Sequence, residues 1–263
     1  RSDIFAEVDR MIILSSVLTA VLFVVTLIIT LVVSTYITRP LNVVADAMHN
    51  ISRLEFQKAA SKGSDSSLKE IRIIQSSFQV MDTALQSFGK YVPMSVVKRI
   101  VGDDSFSKDL HVDRKRLTIM FSDIKNFTQL AETLAIDTLL EILAEYLEEM
   151  TKLITASDGL ICDFIGDGIM AMWNSPVAIA DHERVAMRTA VQQQKALQSL
   201  NKGWLSRGYI SEPLCARIGI HTGDVLVGNI GSHSRMKYGA VGDAVNLASR
   251  LEGLNKRYGT LIM

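Results

Sequence analysis

The sequence predicts an α+β fold with antiparallel β-hairpins, carried behind a membrane-spanning helix and two amphipathic helices. Three observations predict it. Residues 11–38 contain no charged side chain. Residues 71–88 repeat apolar positions at alternating steps of three and four. From residue 113 onward, short apolar runs alternate with longer amphipathic ones, and glycine turns bearing acids join the runs. Strands joined by tight turns read as hairpins, and a strand–helix alternation that includes them is not a doubly wound sheet.

The uncharged stretch comes first. Its core, MIILSSVLTAVLFVVTLIITLVV, lies between Asp9-Arg10 and Arg39. About 20 apolar residues in a helix cross a bilayer, so the stretch is long enough. It is too long for a cleavable signal peptide and has no small-residue cleavage pattern. Its scattered Ser and Thr side chains can hydrogen-bond back to their own helix or line a helix–helix contact. The chain opens on Arg1 and stops at Leu261-Ile262-Met263 in mid-pattern, so the expectation is that segments at both ends are missing.

Pro40 suits a first helical turn or a short break. Leu41, Val44, Ala45, Met48 and Ile51 then mark one apolar helix face, and residues 57–67 (QKAASKGSDSS) form a polar connector. Ile71, Ile74, Phe78, Met81, Leu85 and Phe88 follow as an a/d heptad seam, which asks for a partner helix. Helix, connector and helix directly after a span resemble the HAMP signal-relay domain. Pro40 matches that family's opening, and Glu70-Ile71 with Phe78 and Met81 resembles the start of its second helix. That resemblance implies a parallel dimeric four-helix bundle.

In the second half, Leu117–Phe121 is a strand ending in Ser-Asp-Ile, and residues 136–156 form a long amphipathic helix. Leu160–Ile165 and Ile169–Trp173 are strands joined by Gly166-Asp167-Gly168, a hairpin with an acid at its tip. Residues 181–202 read as helix with Asp181 as N-cap. Leu214–His221 and Val225–Ile230 read as a second hairpin around Thr222-Gly223-Asp224, and a last helix spans 243–257. Cys162 and Cys215 sit in apolar runs and read as buried thiols in strands.

Two acids stand out. Asp123 follows one strand and Asp167 sits between two others. Carboxylates at neighbouring strand ends can converge on Mg²⁺, which takes a few carboxylates and completes its shell with substrate phosphates and water. Turn-forming Asp is the plainer alternative from spacing alone. No GxxxxGK[ST] loop and no G-x-S-x-G elbow occurs, which excludes P-loop and nucleophile-elbow enzymes. With 28 basic and 28 acidic residues and no basic stripe, nucleic acid is not an expected partner.

Four stretches occur in order: Phe121-Ser-Asp-Ile-Lys-Asn-Phe-Thr128, Phe164-Ile-Gly-Asp-Gly-Ile-Met-Ala171, Arg217-Ile-Gly-Ile-His-Thr-Gly223 and Val241-Gly-Asp-Ala-Val-Asn-Leu-Ala-Ser-Arg250. Together they resemble the class III adenylate/guanylate cyclase catalytic domain over residues 113–263. The resemblance implies a ferredoxin-like βαββαβ core that pairs head-to-tail in a homodimer, with active sites at the interface. It implies that Asp123 and Asp167 hold two Mg²⁺ or Mn²⁺ ions with the Ile124 carbonyl. Amides of residues 124–128, Phe127 and Thr128 among them, would cradle the triphosphate. Asn246 would orient the ribose, and Arg250 would steady the phosphates during transfer. Arg217 matches an arginine near the phosphate end, with a structural salt bridge as its alternative. Asn246 and Arg250 lie one turn apart on one helix face. Each chain would give its aspartates to one site and these two residues to the other.

The sequence departs from that pattern in three places. Asn126 stands where the family usually has Gly, and Asn tolerates positive φ. Asp163 and Gly239 occupy the base-reading positions, where adenylate cyclases typically carry Lys and Asp or Thr, and guanylate cyclases Glu and Cys. A carboxylate can accept from guanine N1–H and its 2-amino group, or from the adenine amino group. The family's transition-state lysine falls after the last residue.

The expectation is thus a membrane-bound adenylate cyclase, converting ATP to cyclic AMP and pyrophosphate. Guanylate cyclase acting on GTP and a degenerate regulatory domain are the alternatives. Residues 1–10 end a preceding region, 11–38 span the plasma or inner membrane and 39–90 relay signals. Residues 91–112 link, and 113–263 catalyse on the cytoplasmic side, where nucleoside triphosphates are found.

Overall fold

The computed structural model describes residues 2–52, 69–89, 91–93, 95–97, 112–232 and 235–263. The expected connector at 57–67 and most of the expected linker at 91–112 lie outside them. The chain divides into two compact units, Arg1–Val92 and Pro93–Met263.

In the first unit, helix α1 (Ser2–Val33) runs through a π-helical turn (Ser34–Thr38) into α2 (Arg39–Ser52). The stretch Met11–Asp46 is long and apolar enough to cross a membrane; its most apolar 18-residue window has a mean hydropathy of 2.9 and is not buried. Its hydroxyls bond back along the helix: Ser16 donates to Ile12 O at 2.8 Å, Thr19 to Ser15 O at 2.7 Å, and Thr26 to Leu22 O at 2.8 Å. A hydroxyl satisfied in this way can face hydrocarbon without an orphaned donor. The π-turn has a local cause. Pro40 lacks an N–H and its ring crowds the carbonyl one turn back, and the wider turn relieves that crowding. The Arg39 N–H correspondingly reaches back to Ser34 O.

Helix α3 (Lys69–Phe88) contacts α2, and Val44 on α2 and Ile71 on α3 are buried. The expected seam divides. Ile71, Phe78 and Leu85 are at least partly covered, whereas Ile74, Met81 and Phe88 are exposed. Asp82 lies on the covered side, where the Gln86 side-chain amide donates to its Oδ2 at 2.8 Å. On α2, Leu41 and Met48 of the expected apolar face are exposed.

The second unit carries a five-stranded antiparallel sheet of order β2-β3-β1-β4-β5. Its elements are β1 (Val112–Ile124), α4 (Phe127–Thr133), α5 (Ile136–Ala156), β2 (Leu160–Ile165), β3 (Gly168–Trp173), α6 (His182–Ser206), β4 (Ala216–Ser232), β5 (Arg235–Val241) and α7 (Asp243–Tyr258). The first four strands with α5 and α6 form the expected βαββαβ core. Strand alternation divides the packing into two layers. Met120 and Ile124 of β1 face one core with Ile142, Tyr146 and Met150 of α5 and Ala186 and Ala190 of α6. Leu117 and Ile119 face a second core with Val225, Tyr238, Ala244 and Ala248.

Several sequence expectations need correction. The strand expected at Leu117–Phe121 extends over Val112–Ile124 because β4 pairs with its whole length. The hairpin expected around Thr222-Gly223-Asp224 does not form; β4 is one continuous strand through those residues, and its hairpin partner is β5, with Ser232 opposite Arg235. The glycines there answer to α7. A Cβ on Gly219 would lie 2.2 Å from Glu252 N and 2.3 Å from Ala248 O, and one on Gly223 would lie 2.8 Å from Ala244 Cβ. Asp181 occupies the N-cap position of α6 without a side-chain cap hydrogen bond, because its own backbone is left-handed at φ 51°. Cys162 lies in β2 as expected, while Cys215 falls just before β4; both are free and partly buried.

The last residues add to the sheet. The Ile218 N–H donates to Leu261 O at 2.8 Å, and the Met263 N–H donates to Ile218 O at 2.9 Å. They run parallel to β4 along its first half.

Candidate active site

The β2–β3 hairpin has a two-residue loop, with Ile165 opposite Gly168. Gly166 takes the left-handed position at φ 66°, which a side chain would strain. This tight loop brings Asp167 against the end of β1. Its Oδ2 accepts from the Ile124 N–H at 2.9 Å. Asp123 is beside it: a Cβ on Gly168 would lie 3.8 Å from Asp123 Oδ1. The carboxyl of Asp167 is pushed up to about 6, first by burial and then by the hydrogen bond and charge of Asp123, against the pull of the Ile124 amide. A neighbouring carboxylate that raises the proton affinity of Asp167 in this way leaves a pair of donors that suits a cation. Beneath them Tyr146 is fully buried, and burial pushes its hydroxyl well above the usual phenol range, with the charges of Asp167 and Asp123 adding to the effect.

Among the described residues no group of three or more His, Cys, Asp or Glu side chains forms a protein-only metal cage. Two carboxylates and a strand-end carbonyl fit instead an ion that takes its other ligands from phosphate and water. The family, as resembled, uses divalent ions in this way, and the donor set is compatible with that.

Arg217 stands directly opposite Asp123 in the β1–β4 register. Its Nη2 donates to Asp123 Oδ2 at 2.8 Å. Its Nε lies 2.8 Å from Glu252 Oε1 on α7. That second contact is an ion pair by distance, although its angle misses hydrogen-bond geometry and leaves both atoms without a conventional partner. The two side chains are only 15% and 17% exposed. Burial raises the Glu252 carboxyl, Arg217 opposes that, and Asp123 adds to it. Glu252 escaped the sequence reading. The available signal was its place four residues after Ala248 and eight after Ala244, a charge in an otherwise apolar stripe.

Of the amides expected to cradle phosphate, two are engaged within the chain. Ile124 N–H serves Asp167, and Lys125 N–H donates to Cys215 O at 2.8 Å. Those of Asn126, Phe127 and Thr128 open α4, where a helix leaves its first donors without internal acceptors. Asn126 adopts φ 59°, ψ 30°, the left-handed conformation that suits Asn in place of Gly. Phe127 packs against the first core, and Thr128 is exposed.

Asn246 and Arg250 share the exposed face of α7, opposite the buried Ala244 and Ala248. Among the described residues, neither shares a hydrogen bond or ion pair with Asp123 or Asp167 of the same chain. Asp163 follows a register shift in β2, and Gly239 of β5 stands opposite Gly228 of β4. The sheet coils enough to bring side chains of these edge strands into contact. Lys237 Nζ lies 2.6 Å from Asp163 Oδ2, and the Tyr238 hydroxyl lies 2.7 Å from Ser175 Oγ beyond β3.

The family described as "Adenylate and Guanylate cyclase catalytic domain" matches residues 111–258. Adenylate cyclase 1 of Rhizobium meliloti is 34% identical over 227 residues, which is 86% of this chain and 33% of that protein. The chain thus spans about a third of that relative's length. The adenylyl cyclase CyaB from P. aeruginosa aligns at 39% identity with a TM-score of 0.53, covering 55% of this chain and 74% of that one. The guanylyl cyclase Cya2 aligns at 39% identity with a TM-score of 0.52, covering 55% and 72%.

Proposed function

The chain belongs to the adenylate and guanylate cyclase catalytic-domain family, and from that premise we propose that it is a membrane-anchored adenylate cyclase making 3′,5′-cyclic AMP and pyrophosphate from ATP. The convergence of Asp123 and Asp167 carries this reading, because the Ile124–Asp167 hydrogen bond joins the two motif acids into one anionic site. The similarity to a bacterial adenylate cyclase over most of the chain supports ATP as substrate.

In this reading Asp123, Asp167 and the Ile124 carbonyl hold two Mg²⁺ or Mn²⁺ ions. Such ions supply Lewis-acid activation of the attacking oxygen and neutralise the leaving phosphates. The chain's own residues supply position and charge. Amides opening α4 orient the triphosphate, and Asn246 holds the ribose so that its 3′-oxygen points at the α-phosphorus. Arg250 offsets the charge that develops as pyrophosphate leaves. No covalent protein intermediate is required, so catalysis rests on positioning and electrostatics.

Asn246 and Arg250 act on the site of a second copy, so the working unit is a homodimer. The exposed Ile74, Met81 and Phe88 on α3 offer that copy an apolar seam. Residues 39–90 then act as a HAMP-like relay that shifts how the half-sites meet. The apolar stretch Met11–Asp46 supports anchoring in the plasma or inner membrane, with the catalytic domain in the cytoplasm. GTP is the second reading, favoured by the carboxylate at Asp163, which can accept from guanine N1–H.

The test uses the full chain in membranes with Mn²⁺ and ATP. Cyclic AMP from the parent, lost in Asp123→Asn and in Asp167→Asn, supports the reading. Equal output from parent and both variants would overturn it.

A further inference from the structure

The carboxylate of Asp123 is divided between two neighbours. Its Oδ1 lies on the side of the β2–β3 hairpin that carries Asp167, 3.8 Å from where a Cβ on Gly168 would be. Its Oδ2 accepts from Arg217 Nη2 at 2.8 Å. A guanidinium is always charged, so in this place it repels any cation that shares Asp123. Glu252 answers that charge from the other side, with its Oε1 2.8 Å from Arg217 Nε. Both side chains of that pair are largely buried, so water and salt screen them weakly. The packing fixes where Glu252 stands. Arg217 and Gly219 are two residues apart on β4 and so share a face. A Cβ on Gly219 would lie 2.2 Å from the backbone N of Glu252, so α7 rests on that face at Glu252 itself.

We propose that Glu252 is a positioning residue of the divalent-ion site: by holding Arg217 it orients Asp123 and offsets the positive charge that would oppose the ion. This deepens the cyclase reading and rests on it in one respect, that Asp123 and Asp167 are the ion's carboxylates. Without Glu252, the whole guanidinium fork is free to turn onto Asp123, because Arg pairs a carboxylate best through two parallel N–H bonds. Both oxygens of Asp123 would then be engaged, and the ion would meet one available acid in place of two. With Glu252 beside Nε, the contact with Asp123 runs through Nη2 and Oδ2. Oδ1 is left on the side of Asp167. Glu252 thus acts on the ion through Arg217 and not as a ligand.

The experiment titrates Mn²⁺ calorimetrically into the full chain in detergent micelles at pH 7.5, without nucleotide. Glu252→Gln should raise the Kd for Mn²⁺ roughly tenfold, within the range for side chains of one ion-pair network. Arg217→Met/Glu252→Gln removes both charges and should return the Kd to within about threefold of the parent. A Glu252 that only supports the fold would leave the double variant as weak as Glu252→Gln, and that result overturns the proposal. So does a Glu252→Gln protein with the parent's Kd, or a parent that binds no Mn²⁺. If Glu252→Gln does not fold, the double variant, which buries no unpaired charge of this pair, decides alone. A parental Kd in it supports the proposal and a weaker one overturns it. The expected Mn²⁺ pattern without cyclic product from ATP or GTP supports the role of Glu252 and defeats the cyclase reading alone.

Discussion

The backbone N–H of Ile124 donates to Asp167 Oδ2 at 2.9 Å, so the end of β1 and the tip of the β2–β3 hairpin are held together. That bond leaves Asp123 and Asp167 side by side, and the charge they concentrate has measurable consequences.

The first is a trade between function and stability. Asp167 has a folded-state value of about 6, above its ordinary 3.8. Between these values the folded state binds more protons than the unfolded one, so stability falls as pH rises through about 4 to 6. Asp167→Asn should therefore melt higher than the parent at pH 7.5 in EDTA, with the gain vanishing near pH 4. Cyclase activity should meanwhile drop at least about a hundredfold, the scale of losing preorganised electrostatics. Thermal melts and cyclic nucleotide assays on the same samples check both.

Protons should also compete with the divalent ion. Mn²⁺ affinity is expected to weaken progressively as pH falls below about 6, where Asp167 gains its proton. Isothermal titration of Mn²⁺ from pH 5 to 8 reads this directly, and a flat profile would contradict it.

Arg217 links Asp123 to Glu252, and removing it leaves Glu252 partly buried without a counter-charge. Arg217→Met should destabilise the domain by roughly 2 kcal/mol, below the cost of breaking a fully buried pair because these groups retain some solvent. Adding Glu252→Gln should recover part of that loss. Urea midpoints for the single and double variants form the cycle, and strict additivity would count against coupling.

Gly219 lies under α7 with no room for a Cβ. Because the obstructing atoms are the backbone of Ala248 and Glu252, Gly219→Ala must displace the helix that carries Asn246 and Arg250. The expected loss is about 3 kcal/mol, the upper range for overpacking, with activity falling further than the unfolded fraction explains.

The exposed seam on α3 predicts assembly. Met81→Asp places a charge in the proposed dimer contact and should lower both cross-linking through α3 and activity. An undiminished cross-linking yield would remove α3 from the interface.

The sequence by itself determined the elements and most of the chemistry. A charge-free run, a heptad, and helix 136–156 follow from local periodicity, which the backbone expresses whatever surrounds it. The motif acids were legible because strand ends and hairpin tips are local features. Tertiary structure decided what depends on residues far apart in the chain. Gly223 reads as a turn, yet it and Gly219 make room for α7, so β4 runs straight through them. Arg217 is paired with Asp123 because two strands face each other in register, and Glu252 joins them from a helix. Lys237 meets Asp163 only because the sheet coils until its edge strands come within side-chain reach, and no spacing along the chain encodes that curvature.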